Sequence, residues 1–543
     1  MTSRIFVSIC GFCATAAACS SGDGGATATS SDESRALAET CGALAGRMVP
    51  PSSIALPTGG ATVSKATVVA ASGATPEYCK VEGAIRPVDP TAPPINFQLN
   101  LPSQWNGKAV HYGGAGLGGL LVTGVDNVPA ASANAASPLA RGYATFGSDS
   151  GHTGPTPADG SFALNAEARA NFTGDQLKKT HDTAQVLIQA RYGAGAQRMY
   201  FAGGSQGGHE ALLVVQRWPS DYDGVVAHSP ALSFTMVMIA GNRVAKALYA
   251  PGAFLNSNKV ATLRSAVLRA CDALDGVQDG IVSDTRSCET AFDVQNSRCP
   301  GGGEFGDWCL SDAQIAALNT MNTPFKLDFP LQAGLTDHPK WPIYQGAEIV
   351  FPFDFGMSPF PSRPPSPFNA GLHVLSDAVI RYFVTKDPNF DSLTFAPNAW
   401  RNQLIALSNQ TDAQNPDISA FEARGGKLII VHGTGDFAVN VGLTNAYYAR
   451  LVSTFGQARA DSFLRYYVIP GLGHGAGTFN ATWDSISAIE NWAERGQAPA
   501  NLVATDANLT TQGRTRPMCR YPTWPRYTGP NPNAAASFTC VTQ

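Results

Sequence analysis

A strand, a serine flanked by glycines and a helix follow one another at residues 199–218, and this succession constrains the fold most. The pentapeptide Gly203–Gly204–Ser205–Gln206–Gly207 fits the pattern G-x-S-x-G; it follows the apolar run MYFA and precedes a helix-like run. A tight turn between strand and helix holds such a serine exposed and strained, and small neighbours let the helix pack closely. The pattern alone arises by chance in a glycine-rich chain. In this context it predicts a nucleophilic serine rather than a plain turn.

Apolar strand-like runs alternate with helical patterns on both sides of this turn. A helical pattern over 175–192 precedes the strand at Met199–Ala202, and further strand-like runs follow at Lys427–His432 and Arg465–Ile469. Such alternation requires a mostly parallel sheet covered by helices on both faces. The intervening residues carry four cysteines and a proline-rich passage, with little strand alternation. We therefore predict an α/β fold in which residues 41–235 and 425–543 form the catalytic domain and residues 236–424 form an inserted lid.

Two candidate partners for the serine lie in loops after later strands. A serine hydroxyl needs a base to remove its proton and an acid to orient that base. In α/β hydrolases the chain order is Ser, then Asp or Glu, then His. Asp436 follows the run KLIIVH, and His474 follows the next strand-like run. Each alone could be an ordinary turn residue, but together they predict an α/β-hydrolase fold with Ser205, Asp436 and His474 as its triad.

Other histidines and the oxyanion donors complete the candidate site. His432 could face the substrate or end its strand in a satisfied structural position, and His152 could line the pocket or a turn. His209 is expected only to support the nucleophile helix. Acyl transfer needs amide donors aimed at the developing oxyanion. We expect one from Gln206, directly after the serine, and one from the glycine-rich loop at residues 112–116.

A loop in the insertion, CDALDGVQDGI at residues 271–281, resembles a binding site for a hard cation. Its carboxylates, Asp272, Asp275 and Asp279, are spaced by three and four residues with glycines between them. Oxygen ligands of this kind, completed by backbone carbonyls, favour calcium. The spacing is not that of an EF-hand. The alternative is a solvated acidic turn.

The first nineteen residues predict an export signal. Arg4 precedes an apolar or small run over 5–18 that is too short to span a membrane, and Ala16–Ala18 lead to Cys19. This pattern fits either signal-peptidase cleavage or a lipid anchor on Cys19, the only membrane contact expected. Residues 20–40 read as a flexible linker. We expect a secreted, periplasmic or outer-membrane-anchored protein.

Eight cysteines follow the signal, and an even number in an exported chain predicts disulfides. Many pairings are possible; we predict sequence-local ones, with buried free thiols as the alternative and a zinc site less favoured. The predicted pairs are Cys41 with Cys79, Cys271 with Cys288, Cys299 with Cys309, and Cys519 with Cys540.

The net charge of −4 gives no support for nucleic-acid binding.

From about residue 41 onwards the chain resembles the tannase and feruloyl esterase family of α/β hydrolases, which includes mono(2-hydroxyethyl) terephthalate hydrolase. The resemblance lies in the motifs WNGK, YGGAG, GGSQGGHEALLVVQRWPSDYDGVVAHSPA, CDALDGVQDGIVSD, RYFVTKDPNFD, HGTGDFAV, VIPGLGHG and TRPMCRYP. It implies the same triad and the four local disulfides, and a lid that contributes a pocket for aromatic esters. It also implies Gly116 and Gln206 as oxyanion donors. For structural calcium it implies the carboxylates of Asp272, Asp275 and Asp279 and the carbonyls of Val277 and Ile281.

The chain departs from the family at two positions beside the triad. The family typically carries a cysteine directly before the nucleophile and another directly after the histidine, joined as a disulfide. Here these positions are Gly204 and Gly475. The triad is therefore expected to depend on packing and hydrogen bonds, and this departure bears on substrate specificity more than on the chemistry.

These observations lead to an expected function. We expect a secreted serine esterase that hydrolyses small carboxylic esters of aromatic acids, of hydroxycinnamoyl, galloyl or terephthaloyl type, through an acyl-enzyme. One alternative is the same fold acting on another ester, a lactone or an amide. Another is a non-catalytic, calcium-dependent binding protein. No oligomeric state is predicted.

Overall fold

The computed structural model describes residues 40–351, 353–511 and 513–542. The predicted signal peptide, Cys19 and the linker up to residue 39 lie outside the described residues. No helix in the described part of the chain is both long and apolar enough to cross a membrane.

Seventeen strands lie within these residues, and ten of them form one sheet in the order β1-β2-β3-β4-β6-β5-β7-β8-β11-β12. The strands are β1 (Met48–Val49), β2 (Ala61–Val69), β3 (Tyr78–Ile85), β4 (Ile95–Pro102), β5 (Lys108–Tyr112), β6 (Ala144–Ser148), β7 (Arg198–Gly204), β8 (Gly224–His228), β9 (Phe325–Lys326), β10 (Asp337–His338), β11 (Lys427–Gly433), β12 (Leu464–Ile469), β13 (Ala481–Thr482), β14 (Val503–Asp506), β15 (Thr515–Pro517), β16 (Trp524–Tyr527) and β17 (Phe538–Val541).

Thirteen α-helices lie within the same residues. They are α1 (Ala166–Ala170), α2 (Gln176–Tyr192), α3 (Gln206–Arg217), α4 (Phe234–Leu248), α5 (Ser257–Cys271), α6 (Thr285–Ala291), α7 (Asp312–Met321), α8 (Gly371–Val379), α9 (Arg401–Thr411), α10 (Ser419–Ala423), α11 (Val441–Phe455), α12 (Gln457–Phe463) and α13 (Ser485–Arg495).

The central sheet is antiparallel at its first strands and parallel from β6 to β12. β2, β3, β4 and β6 pair antiparallel, whereas β6, β5, β7, β8, β11 and β12 pair parallel. The carboxyl ends of the parallel strands therefore meet at one edge, with Gly204 opposite His228 and Gly433 opposite Ile469. This edge is where ligands bind in open α/β sheets.

Helices cover both faces of the parallel strands. Successive residues of a strand point to opposite faces, so Phe201 packs in the cluster that includes Leu187 of α2 and Leu451 of α11. Its neighbour Tyr200 packs in the cluster that includes Trp492 of α13. The sheet buried on both faces confirms the predicted α/β class.

The chain between β8 and β11 contains α4 to α10 and the small β9–β10 hairpin. It has apolar clusters of its own, one of which joins Trp341 and Phe355 to Phe437 in the loop after β11. The boundaries of a lid at residues 236–424 stay a prediction.

Four disulfides join the cysteines in the sequence-local pairs. They are Cys41–Cys79, Cys271–Cys288, Cys299–Cys309 and Cys519–Cys540. Gly204 and Gly475 replace the two cysteines beside the triad, but it would be wrong to describe the chain as lacking disulfide cysteines, because four disulfides are present elsewhere. Four cross-links suit folding in an oxidising compartment and indicate export.

Candidate active site

Ser205 lies at the sharp turn between β7 and α3. Its backbone has φ 59° and ψ −117°, a left-handed region that costs a non-glycine residue energy and recurs at functional sites. Its amide donates to the His228 carbonyl at 3.0 Å. A Cβ at Gly203 would lie 2.3 Å from the Gly207 carbonyl oxygen, and one at Gly208 would lie 2.4 Å from that of His228. The glycines are therefore needed for the close approach of helix and strand.

The three residues of the predicted triad meet at the carboxyl edge of the sheet. His474 Nε2 lies 2.9 Å from Ser205 Oγ, and His474 Nδ1 lies 2.9 Å from Asp436 Oδ2. Asp436 is fully buried, and its Oδ1 accepts a hydrogen bond from the Val439 amide at 2.8 Å. The contacts form one chain from hydroxyl to imidazole to carboxylate.

The charges around the triad favour an ionised Asp436 and a more basic His474. Burial opposes the charge on Asp436, but the neighbouring His474 and His432 hold its pKa well below the usual range. Burial also opposes charge on His474, yet the Asp436 carboxylate raises the His474 pKa above its ordinary value of 6.5. Asp436 is thus ionised at neutral pH, and His474 is the stronger base for it.

Two other candidate histidines, His432 and His209, have structural roles. His432 is buried, with Nδ1 2.9 Å from Thr444 Oγ1 and Nε2 3.0 Å from the Val439 carbonyl. It also lies 3.3 Å from Asp436 Oδ2, so it supports the acid. His209 Nε2 contacts the Thr411 carbonyl at 2.6 Å.

His152 is the remaining rival, and its ring is buried against aromatic side chains. Its ring stacks on Phe162 with centroids 3.5 Å apart, and burial lowers its pKa to about 4. Neither ring nitrogen has a hydrogen-bond partner within the described residues. His152 is therefore neutral at the pH where the triad would work.

The glycine-rich loop after β5 packs against the start of α3. A Cβ at Gly113 would lie 2.6 Å from Gly207 Cα, and Gly114 donates its amide to Glu210 Oε2 at 2.7 Å. Gly116 has φ 56° and approaches Pro157 so closely that a Cβ would lie 2.3 Å from its carbonyl oxygen.

The backbone leaves both expected donor amides available. Within the described residues, the Gly116 amide donates no hydrogen bond to a protein group. Gln206 is the first residue of α3, where backbone amides lack intrahelical partners. Glu210, which anchors the loop and is itself fully buried, was not found from the sequence.

A segment of the insertion connects the loop that carries Asp436 with the loop that carries His474. This connection could not be predicted from the sequence. Glu348 pairs with Asp436 in an isolated parallel bridge and donates its amide to the Gly435 carbonyl at 2.8 Å. Its carboxylate accepts Thr478 Oγ1 at 2.7 Å and pairs with Arg264 at 2.9 Å. No local pattern marks this residue, because its partners lie far away in sequence.

A buried carboxylate in the same segment, Asp354, lies close enough to Asp436 and His474 for their charges to act on it. Asp354 accepts the Val350 amide at 2.6 Å through Oδ2, while its buried Oδ1 has no partner within the described residues. Burial raises the pKa of Asp354 to about 7; the charge on Asp436 adds to this and His474 opposes it.

The predicted calcium loop holds its aspartates in different surroundings. Asp279 forms an ion pair with Arg516, and Asp272 Oδ1 accepts the Asp279 and Gly280 amides. Asp275 is buried, its Oδ2 has no hydrogen-bond partner within the described residues, and burial raises its pKa to about 6.

Another cluster brings ligand-type atoms closer together. Among the described residues, one group of three side chains has possible metal-ligand atoms that all lie within 4.8 Å of one another: His181, Asp182 and Asp221. The aspartates of the predicted calcium loop do not form such a group. Lys178 Nζ, however, lies 2.8 Å from both aspartates of the cluster. The two aspartates of this cluster thus already share an ammonium as their cationic partner.

A parallel sheet with a strained serine, a histidine and a buried aspartate at its carboxyl edge defines an α/β hydrolase. Residues 79–541 match the family described as "Tannase and feruloyl esterase", and the chain belongs to this family. The family resemblance and fold predicted from the sequence are thus confirmed, and the protein is a carboxylic ester hydrolase.

Individual relatives are similar over nearly their whole length. An uncharacterized esterase of Agrobacterium fabrum is 37% identical, with 92% of this chain and 93% of the relative covered. The mono(2-hydroxyethyl) terephthalate hydrolase of Piscinibacter sakaiensis is 29% identical, covering 94% and 92%. The crystal structure of feruloyl esterase B from Aspergillus oryzae matches with a TM-score of 0.74 at 23% identity, covering 93% of this chain and 100% of that one. The last likeness concerns the fold.

Proposed function

We propose that the protein is a serine esterase for carboxylic esters of aromatic acids, with Ser205 as nucleophile, His474 as base and Asp436 as acid. The observation that carries this proposal is the pair of 2.9 Å contacts linking Ser205 Oγ through the imidazole to Asp436 Oδ2. An oriented base in hydrogen-bond reach is what makes a serine hydroxyl nucleophilic.

The reaction would proceed in two acyl-transfer steps. Ser205 Oγ attacks the ester carbonyl carbon while its proton moves to His474 Nε2. The tetrahedral intermediate collapses, and the leaving alkoxide takes the proton from His474. Water then repeats the sequence on the acyl-enzyme and releases the acid. Asp436 fixes the Nδ1–H tautomer and stabilises the imidazolium, and the Gly116 and Gln206 amides stabilise the oxyanion.

The aromatic acyl group is inferred from the relatives. Feruloyl esterase B of Aspergillus niger is 28% identical, with 81% of this chain covered, and the relative from Piscinibacter hydrolyses a terephthalate ester by its name. Another ester, a lactone or an amide on the same triad is the second candidate. A single screen of hydroxycinnamate, gallate, terephthalate and aliphatic esters separates these classes.

We also propose structural calcium in the loop at 271–281. The buried Oδ2 of Asp275, which has no hydrogen-bond partner among the described residues, supports a cation there. The carboxylates of Asp272, Asp275 and Asp279 and the carbonyls of Val277 and Ile281 would hold the ion. It would supply a cross-link for the loop; no catalytic step involves it.

The finer part of the localisation is likewise a proposal. We propose that residues 1–19 direct export and that the mature chain is periplasmic, secreted or held at the outer membrane by a lipid on Cys19. Mass measurement of the mature amino terminus distinguishes a cleaved, unmodified chain from an acylated one.

The test of the catalytic proposal is Ser205→Ala, with Ser52→Ala at an exposed site as the matched control. We expect Ser205→Ala to lose hydrolysis of methyl ferulate and labelling by a fluorophosphonate, with an unchanged circular dichroism spectrum. Ser52→Ala should retain both. Undiminished turnover in Ser205→Ala would refute the nucleophile, and an unlabelled, inactive wild type would favour the non-catalytic binding protein.

A further inference from the structure

A cleft of about 440 Å³ opens directly beside the nucleophile turn. One wall is formed by β7 at Ala202 and Gly204, and another by the loop after β5. The segment at 120–129 closes the remaining side. The side chains of this lining that matter for the argument are Tyr112, Leu120, Leu121, Val122, Asp126 and Pro129.

Two of these walls also belong to the reaction centre. Gly204 is joined by its peptide bond to Ser205, so the cleft begins one residue from the attacking oxygen. The residues 113–115 lead directly to Gly116, a proposed oxyanion donor, and Gly114 is held by Glu210 of α3. The cleft and the proposed reaction centre thus share the nucleophile strand and the glycine-rich loop.

The chemistry of the lining selects an uncharged group. Leu120 and Leu121 are 54% and 38% exposed, although leucine side chains are usually buried in a folded protein. Val122 and Pro129 extend this apolar surface. The side chains that line the cleft include one carboxylate, Asp126, and neither lysine nor arginine.

The polar groups at the cleft add no site for an anion. Tyr112 donates its hydroxyl to the Asp126 carbonyl at 3.0 Å, and burial raises its pKa, so the ring stays neutral. A second carboxylate on a substrate would meet Asp126 and apolar surface, without a cation to offset its desolvation.

We propose that this cleft binds an uncharged, apolar group of the ester substrate, and that the enzyme therefore favours neutral aromatic esters over esters that carry a second carboxylate. The inference rests on the proposed function and adds the class of substrate group. The bound group is the acyl part or the alcohol part of the ester, which the test below distinguishes.

Gly204 controls the size of the cleft. It lies in β7 with no left-handed φ, so a side chain is compatible with its backbone. Its Cβ would lie 3.3 Å from Pro129 Cβ and 3.5 Å from Pro129 Cγ, inside the lining. A valine at 204 would therefore occupy space that the substrate group would otherwise fill.

The first experiment compares Gly204→Val with the wild type on ethyl acetate, ethyl benzoate and benzyl acetate. We expect the kcat/KM ratio of one bulky ester to ethyl acetate to fall by about tenfold or more. A fall for ethyl benzoate assigns the cleft to the acyl group, and a fall for benzyl acetate assigns it to the alcohol. Equal losses on all three esters, or unchanged ratios, would overturn the proposal.

The second experiment adds a cation at the exposed rim and does not depend on the turn. Leu121→Lys is expected to raise the kcat/KM ratio of a carboxylate-bearing ester to its neutral counterpart by up to about fivefold, as one exposed charge pair provides. The carboxylate is placed on the part that the first experiment assigns to the cleft: monoethyl against diethyl terephthalate for the acyl part, and 4-(acetoxymethyl)benzoate against benzyl acetate for the alcohol part. Leu509→Lys, at a leucine that is 89% exposed and outside the cleft, is the matched control. An equal change in both variants, or none in Leu121→Lys, contradicts the proposal. Failure of the proposed function itself is seen separately, as activity that survives Ser205→Ala.

Discussion

Replacing Glu348 by alanine is expected to slow hydrolysis more than it weakens substrate binding. Glu348 connects the insertion with the loops of Asp436 and His474, through its amide on Gly435 and its carboxylate on Thr478. The alanine variant keeps the backbone contact and loses the side-chain contacts. The histidine loop then has one fewer anchor four residues after His474.

The size of the effect follows from the contacts that are lost. A hydrogen bond to a charged group contributes about 1.5–3 kcal/mol. The ion pair with Arg264 adds at most about 1 kcal/mol, because the arginine side chain is 33% exposed and solvent screens it. We expect the free energy of unfolding to fall by about 2–3 kcal/mol. A displacement of the imidazole by a fraction of an ångström should reduce kcat by about tenfold or more.

The assay measures kcat and KM on a neutral aromatic ester together with urea unfolding. Glu348→Gln retains an oxygen that accepts the Thr478 hydroxyl, so it should recover most of kcat. Glu289→Ala is the matched control, since Glu289 forms an exposed ion pair with Lys340 in the same insertion. Stability loss in Glu348→Ala with an unchanged kcat would refute the positioning role, as would an equal fall of kcat in Glu289→Ala.

Three further outcomes are expected. Asp436→Asn should lower kcat by about 10³–10⁴-fold with a similar KM, because the imidazole loses its oriented tautomer; a loss below about tenfold in steady-state kinetics would contradict this. The value of kcat/KM should fall as the pH drops through the pKa of His474, because the protonated imidazole cannot accept the serine proton. Burial lowers this pKa, but Asp436 raises it above 6.5 overall. A pH profile whose acidic limb is centred below pH 6 would contradict this expectation. Chelation of calcium should lower the Tm of the wild type, and added calcium should restore it. The Asp275→Asn variant should show a smaller change in Tm on both additions. A wild-type Tm that changes with neither the chelator nor calcium would argue against a structural calcium ion.

The sequence predicted those parts of the site that local pattern determines. Ser205, Asp436 and His474 each follow an apolar strand-like run, and parallel strands place such loops at one edge of the sheet. The sequence-local cysteine pairs formed as well, with sequence separations of 10 to 38 residues. The cysteine partners are separated by a short stretch of chain. The triad residues are far apart in sequence, but each follows a parallel strand whose direction the sequence pattern predicts.

Contacts that depend on tertiary packing left no such signal. Glu348 lies 87 positions before Gly435 by residue number, in a segment without regular structure, and its parallel bridge forms only once the insertion has packed on the sheet. The roles of His432 and His152 also required burial and partners, since both occur in loops or strand ends that would equally suit a substrate-facing residue. Sequence periodicity reports which face a residue occupies but not what lies against it.

The histidine loop shows how the triad holds its geometry with glycine at both 204 and 475. Gly473 donates its amide to the Ala476 carbonyl at 2.8 Å, and Gly475 donates to the Gly473 carbonyl at 3.1 Å, so the loop closes on itself around His474. A Cβ at Gly477 would lie 2.3 Å from the Gly471 carbonyl oxygen, which makes that close turn specific to glycine. The loop is tied outward by hydrogen bonds, from Thr478 to Glu348 of the insertion and from Asn508 to the Gly477 carbonyl at 2.8 Å. Because these anchors are hydrogen bonds rather than a covalent link, the position of the imidazole depends on the packing of the insertion, and a variant that loosens the insertion should act on catalysis before it unfolds the sheet.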